Sequence, residues 1–215
     1  MSRTGRSLAL LALPALAFAV WAVPLSAPSR AAATPQAEPR LTLQATLYQN
    51  DFLRRTVSLA TGEYGLGIQD RKVVNVDSEL DFGNYYPNML LAGVQGSQVG
   101  RLYDLGTSDE LAQRYGYQET GGGGQGFASI HFEGSQLVIL ADYATQTFQP
   151  FTEGARFYHS LPPSTSQPIG AQVGHIYLVL IHDLNDPTFE RFAKLIVTAH
   201  TDDEQVTVAW EEILP

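Results

Sequence analysis

The sequence predicts an all-β fold, an antiparallel β-sandwich or open barrel with one short helix and a C-terminal three-strand meander. Three observations carry that expectation. From Leu41 onward apolar residues alternate with polar ones at period two, the pattern of strands with one buried face. The runs are short and punctuated by turn residues, the usual mark of a sandwich or barrel. The last third holds three long apolar segments, "IYLVLIHD", "FAKLIVTAH" and "VTVAWEEI", separated by turn-rich connections.

Residues 1–33 read as an export signal that precedes the fold. Arg3 and Arg6 lead into the apolar run Leu8–Val23, and Ala31–Ala33 offer a small-residue cleavage site before Thr34. Pro14 and Pro24 interrupt a run that otherwise nears the ~18 residues of a spanning helix, so cleavage is expected and no membrane span in the mature chain. The expected location is periplasmic, cell-surface or extracellular. Residues 34–40, "TPQAEPR", form a flexible tether, which leaves 41–215 as a single β-rich domain. Removing the signal takes three arginines and no acid, leaving 10 basic residues against 22 acidic ones and a net charge of −12. Such a chain is repelled by polyanions, which argues against nucleic acid as a partner. An exported chain without cysteine must draw its stability from its core.

Within the domain, "LTLQATLY" sets Leu41, Leu43, Ala45 and Leu47 on one face. "TVSLATG" and "YGLGIQD" follow, then "KVVNVDSELDF", where Val74, Val76, Leu80 and Phe82 form an apolar face. The one helix is expected in "TSDELAQRYG". Thr107 and Glu110 are spaced as a capping box, Gly116 suits its end, and Leu111 and Tyr115 share the packed face. "FASIHF-EGS-QLVILAD" reads as a hairpin turning at Gly134 and Ser135, and Pro162–Pro168 as a surface loop. In the meander a turn at Asp202-Asp203 pairs Leu195 with Trp210, Val197 with Val208 and Ala199 with Val206. Lys194 then faces Glu211 on the opposite side of the sheet.

Gly121-x-Gly123-x-x-Gly126 has the spacing of a dinucleotide-binding loop. That chemistry needs a helix after the glycines, and the strand-like "FASIHFEG" follows instead, so the segment is expected to be a connection. Asp77, Glu79 and Asp81 alternate along a strand and suggest an acidic, solvated ridge with weak calcium binding as the functional alternative. The five histidines make no short metal signature. If Ile181 lies opposite Lys194, however, His175 falls opposite His200 beside Asp202, a possible zinc or transition-metal set. His182 reads as a core histidine. The strand grammar from Gly174 to Ile213 resembles that of haem-scavenging β-proteins of the bacterial surface, in strand pattern only and without a ligand motif. That resemblance implies a His-ligated haem with His175 and His200 as the pair.

"GNYYPN" places Tyr85 and Tyr86 in a turn beside Asn88, with Tyr115 and Tyr117 near the glycine connection. Tyrosines so placed stack on sugars or anchor a protein partner. No nucleophile elbow or thiol nucleophile exists, and 22 acids leave a hydrolytic carboxylate pair unranked. The expected function is therefore a non-catalytic binding or interaction module for a glycan, a peptide or an envelope protein. Ligand-binding residues would be Tyr85, Tyr86, Asn88 and Tyr117, and no cofactor is expected. The alternatives are the metal or haem binder through His175 and His200, and a secreted carboxylate-dependent hydrolase.

Overall fold

The computed structural model describes residues 42–69, 72–75, 78–116, 129–142, 145–160 and 164–214, with backbone alone for 66–69 and 72–75. The expected signal, the tether, Asp77 and the glycine connection with Tyr117 lie outside the described residues. In chain order the elements are β1 (Leu43–Tyr48), β2 (Thr56–Val57), β3 (Leu66–Gln69), β4 (Lys72–Asn75), β5 (Leu80–Phe82), β6 (Met89–Ala92), β7 (Gln98–Thr107) and helix α1 (Ser108–Tyr115). Then follow β8 (Ile130–Glu133), β9 (Gln136–Asp142), β10 (Thr147–Pro150), helix α2 (Thr152–Tyr158), β11 (Ile169–Gly170), β12 (His175–Asp183), β13 (Glu190–Thr201) and β14 (Gln205–Glu212).

All pairings between these strands are antiparallel. A central sheet runs β1-β14-β13-β12-β7, and none of the sheets closes into a barrel. On one face it packs against the sheet β11-β6-β5-β2, with Tyr177, Val179, Ile181 and Trp210 meeting Leu80, Phe82 and Leu90. On the other it packs against β10-β9-β8 and both helices, with Ile176, Leu178, Leu180 and Phe192 meeting Leu111, Ile139, Phe151 and Phe157. The domain is thus all-β with two apolar layers around a central sheet. β12 explains itself in this light: the unbroken apolar run Ile176–Ile181 is buried throughout because both its faces are covered. At ~1.5–3 kcal/mol per fully buried aliphatic side chain, this strand anchors the fold.

The C-terminal meander forms. Lys194 lies opposite Glu211, Leu195 opposite Trp210 and Val197 opposite Val208, as alternation dictates. A bulge between Val197 and Ala199 then shifts the register, so Ala199 faces Thr207 and His200, not Ala199, faces Val206. The extra residue, Thr198, donates its hydroxyl to the Thr207 carbonyl at 3.2 Å. Lys194 and Glu211 stand on the face expected to be polar, but the second layer covers that face. They form a buried pair at 3.1 Å, and Thr42 donates a hydroxyl to Glu211 at 2.9 Å. The β12–β13 register also differs from expectation, with Leu178 opposite Lys194 and Ile181 opposite Arg191. Alternation cannot fix the register of a strand that is apolar on both sides.

"KVVNVDSELDF" divides between β4, which pairs with β3, and β5, which pairs with β2 and β6. The β8–β9 hairpin turns at Gly134 and Ser135 as expected, with Glu133 opposite Gln136. Helix α1 carries both capping-box bonds, ends on Gly116 in the left-handed region, and buries Leu111. Tyr115 stands edge-on to Phe151 at 5.4 Å between ring centres. A second helix, α2, lacks a side-chain N-cap and carries Gly154 in its interior. It forms because Phe151 and Phe157 are buried in the second layer, so packing overrides weak local propensity. The crossing from β6 to β7 depends on Gly93 and Gly100. A Cβ on Gly93 would stand 2.4 Å from the Gly100 nitrogen, and one on Gly100 2.7 Å from the Ala92 carbonyl carbon.

Candidate functional site

The twelve-residue β13 runs between two ends of the domain, and chemistry collects at both. At one end lie the β1–β2 loop, the β5–β6 loop and the β13–β14 turn. Hydrogen bonds lock these three connections together. Asn88 Nδ2 donates to Asp203 Oδ1 at 3.0 Å, and the Asp203 N–H donates back to Asn88 Oδ1 at 2.6 Å. Asn50 Nδ2 donates to the Asp203 carbonyl at 2.9 Å, and the Asn88 N–H donates to Gln49 Oε1 at 2.8 Å. Asn88 and Asp203 hold positive φ angles of 61° and 60°, which short amide and carboxylate side chains tolerate.

This braced end presents apolar surface. Tyr85 is 59% exposed and Tyr86 48%, with Met89, Phe52 and Leu53 also open to solvent on the same connections. The expected pair of rings in a turn is therefore present. Asn88 takes a different role from the expected ligand contact, since its side-chain amide is engaged in the brace. The same end carries exposed acids on the β13–β14 turn: Asp202, with 85% of its side chain open, and Glu204 near it. Asp51 there is matched by Arg54 at 2.6 Å, and that hydrogen bond holds the Asp51 carboxyl below the usual carboxylate range.

The acidic ridge does not form among the described residues. Glu79 and Asp81 are both buried, because β5 is covered on both sides. Asp81 Oδ2 accepts the Asn84 N–H at 3.2 Å, while Oδ1 has no partner. Burial pushes its carboxyl up to about 7, outweighing the Asn84 N–H and the Arg55 charge, which pull the other way. Glu79 lies at the opposite end of β5. Its Oε2 accepts from the Leu59 N–H at 2.8 Å, the Ala60 N–H at 3.3 Å and the Ser58 hydroxyl at 3.5 Å. Its Oε1 meets Arg191 Nε at 2.6 Å, and Arg191 Nη1 also pairs with Glu212. A cleft of about 300 Å³ opens over this network, lined by Ser58, Thr61, Glu79, Gln95, Gln98, Phe189 and Arg191 among others. Nothing in the local sequence marked it, because its residues come from four separate connections.

His175 and His200 are not brought opposite each other. The β12–β13 pairing begins at Ile176 and Ile196, which leaves His200 four positions further along β13, and His175 faces Thr107 of β7 instead. His175 Nδ1 contacts both oxygens of Asp104 at 3.0 Å. His200 stands edge-on to Phe82 at 5.6 Å between ring centres, 3.8 Å from Asp202. His182 lies at the rim of the second layer beside Glu190, and burial draws its imidazole below its ordinary value. Among the described residues no group of three His, Cys, Asp or Glu is placed to hold a metal ion.

The class these features define is an antiparallel all-β domain with apolar layers on both faces of its central sheet, a tyrosine-bearing end and a polar cleft at the other. No protein-family model, curated protein or solved structure matches the chain. Among the described residues no helix is long and apolar enough to cross a membrane.

Proposed function

We propose that the protein is an exported, non-catalytic interaction module that meets a protein partner outside the cytoplasm through the end bearing Tyr85 and Tyr86. The supporting observation is that two large rings are held 59% and 48% exposed on loops that hydrogen bonds hold in place. Exposed tyrosines on a preorganised loop give contact area at little entropic cost, which is how aromatic anchors act in protein interfaces. A protein partner fits better than a glycan at this end. Its Asn50 and Asn88 amides, the groups a sugar would need, are engaged in the brace, while Phe52, Leu53 and Met89 add apolar area. Asp202 and Glu204 at the rim favour a partner with lysine or arginine at its own edge. Export rests on the tripartite N-terminus, and the net charge of −12 after cleavage agrees with a soluble exported chain.

The test is native size-exclusion of extracts from cells producing the full chain. Wild type should elute in a complex above its monomer mass, and the Tyr85→Ser/Tyr86→Ser double variant at monomer mass with an unchanged melting temperature. Identical elution of the two proteins would remove the proposal.

A further inference from the structure

We infer that the cleft over Glu79 and Arg191, at the end of the domain away from the tyrosines, is a binding site for a neutral sugar residue. The inference is independent of the protein-partner reading above, since it uses other residues on other connections.

Three features of the cleft select that ligand. The first is charge. Glu79 and Arg191 are the charged residues of the lining, and they are paired with each other at 2.6 Å. Arg191 is shared further with Glu212. An anionic ligand would meet a guanidinium already matched by two carboxylates, and a cation would meet a carboxylate already held by Arg191 and two backbone N–H groups. A neutral molecule disturbs neither balance. The second is hydrogen-bonding capacity. Gln98 Oε1 is shielded from solvent and has no partner, so a turn of the side chain towards the cleft, letting it accept from a ligand hydroxyl, would relieve a cost the free protein carries. Gln98 and Gln95 bring amides, each with two donors and an acceptor carbonyl, and Thr61 brings a hydroxyl. Such a set suits adjacent hydroxyl groups, which donate and accept at once. The third is shape. Phe189, packed against the core and with the Arg191 guanidinium 5.9 Å from its ring centre, adds aromatic surface to the lining that the C–H groups of a pyranose can meet. Its volume of about 300 Å³ stands at the lower bound of small-ligand sites, enough for a sugar residue and too small for a haem.

The framework is also rigid. Glu79 exposes only 5% of its side chain and ties the 58–60 turn to β13 through its bonds to Leu59, Ala60 and Arg191. The Gln98 N–H donates to the Gln95 carbonyl at 2.8 Å, which fixes the turn that presents both amides. Binding would therefore need only the Gln98 amide to turn towards the ligand and would leave the surrounding loops in place.

The experiment is an amide-resolved NMR titration of the purified chain with glucose, galactose, mannose and N-acetylglucosamine, with glucuronate and a neutral dipeptide amide alongside. At least one neutral sugar should move the amides of 58–61, 95–98 and 189–191 while leaving 85–88 and 202–204 in place. Gln98→Ala should weaken that sugar at least tenfold. Tyr85→Ser/Tyr86→Ser should leave its affinity unchanged, which separates this site from the partner surface. No shift with any neutral sugar, shifts confined to the tyrosine end, or tighter binding of glucuronate or the dipeptide amide would each overturn the inference. If Gln98→Ala does not fold, the map of shifted amides on the wild-type chain decides alone.

Discussion

Asp81 is the residue whose chemistry most departs from its sequence appearance. In "DSELDF" it resembles a surface acid, yet it lies buried within β5 with one oxygen unpartnered and its carboxyl pushed up to about 7. The sign of the consequence is fixed by linkage. A raised acid pKa means the folded chain holds a proton that the unfolded chain has lost between the ordinary value of 3.8 and about 7, so stability falls as pH rises through that window. Asp81→Asn keeps the shape and the acceptor for the Asn84 N–H while removing the charge. Urea denaturation at pH 4.5 and 7.5 should show wild type losing stability on the order of 1–4 kcal/mol more than the variant across the window. Parallel curves for the two proteins would contradict the burial of an ionising carboxyl at this position. The sequence could not reveal this residue, because three alternating acids imply one solvated face only if the strand has a solvated face. Here every residue of β5 is buried, which removes that face.

Among elements, those that depend on local rules were legible and those that depend on neighbours were not. Helix α1 was readable from Thr107, Glu110 and Gly116, since caps act within a few residues. The β8–β9 hairpin and the core of the β13–β14 pair followed from turn residues and alternation. Helix α2, without a cap and with an internal glycine, exists through its packing, and β7 was hidden by Gly100, Arg101 and Asp104 within its pattern. The pairing of His175 with His200 failed for a related reason: β12 carries apolar residues on both faces and so does not announce its register. The loop brace makes its own prediction. Asn88→Gly keeps the positive φ but removes both side-chain bonds to Asp203. It should cost about 1–2 kcal/mol and speed hydrogen exchange in residues 83–89 and 202–204 relative to β12. Unchanged exchange in those segments would mean the three connections hold their places without Asn88.

For the whole molecule, the sequence conveyed class and composition better than depth. It announced an antiparallel all-β chain ending in a meander, and that is the observed fold. It did not announce that the central sheet is covered on both sides. Of the expected site residues, Tyr85 and Tyr86 stand where a partner could reach them, Asn88 supports them, and Glu79 belongs to the sugar-sized cleft at the other end. The two ends lie at opposite termini of β13, so the two proposed ligands would not compete. The most direct measurement of the central claim uses a photo-crosslinking amino acid at Tyr85 in the producing cells, with Leu184 as control. Leu184 is equally open at 59% exposure, but it lies in the β12–β13 turn, away from the braced loops. A discrete protein adduct at Tyr85, absent at Leu184, is the result predicted. No adduct at Tyr85, or the same adducts at both positions, would contradict a partner surface at the tyrosine end.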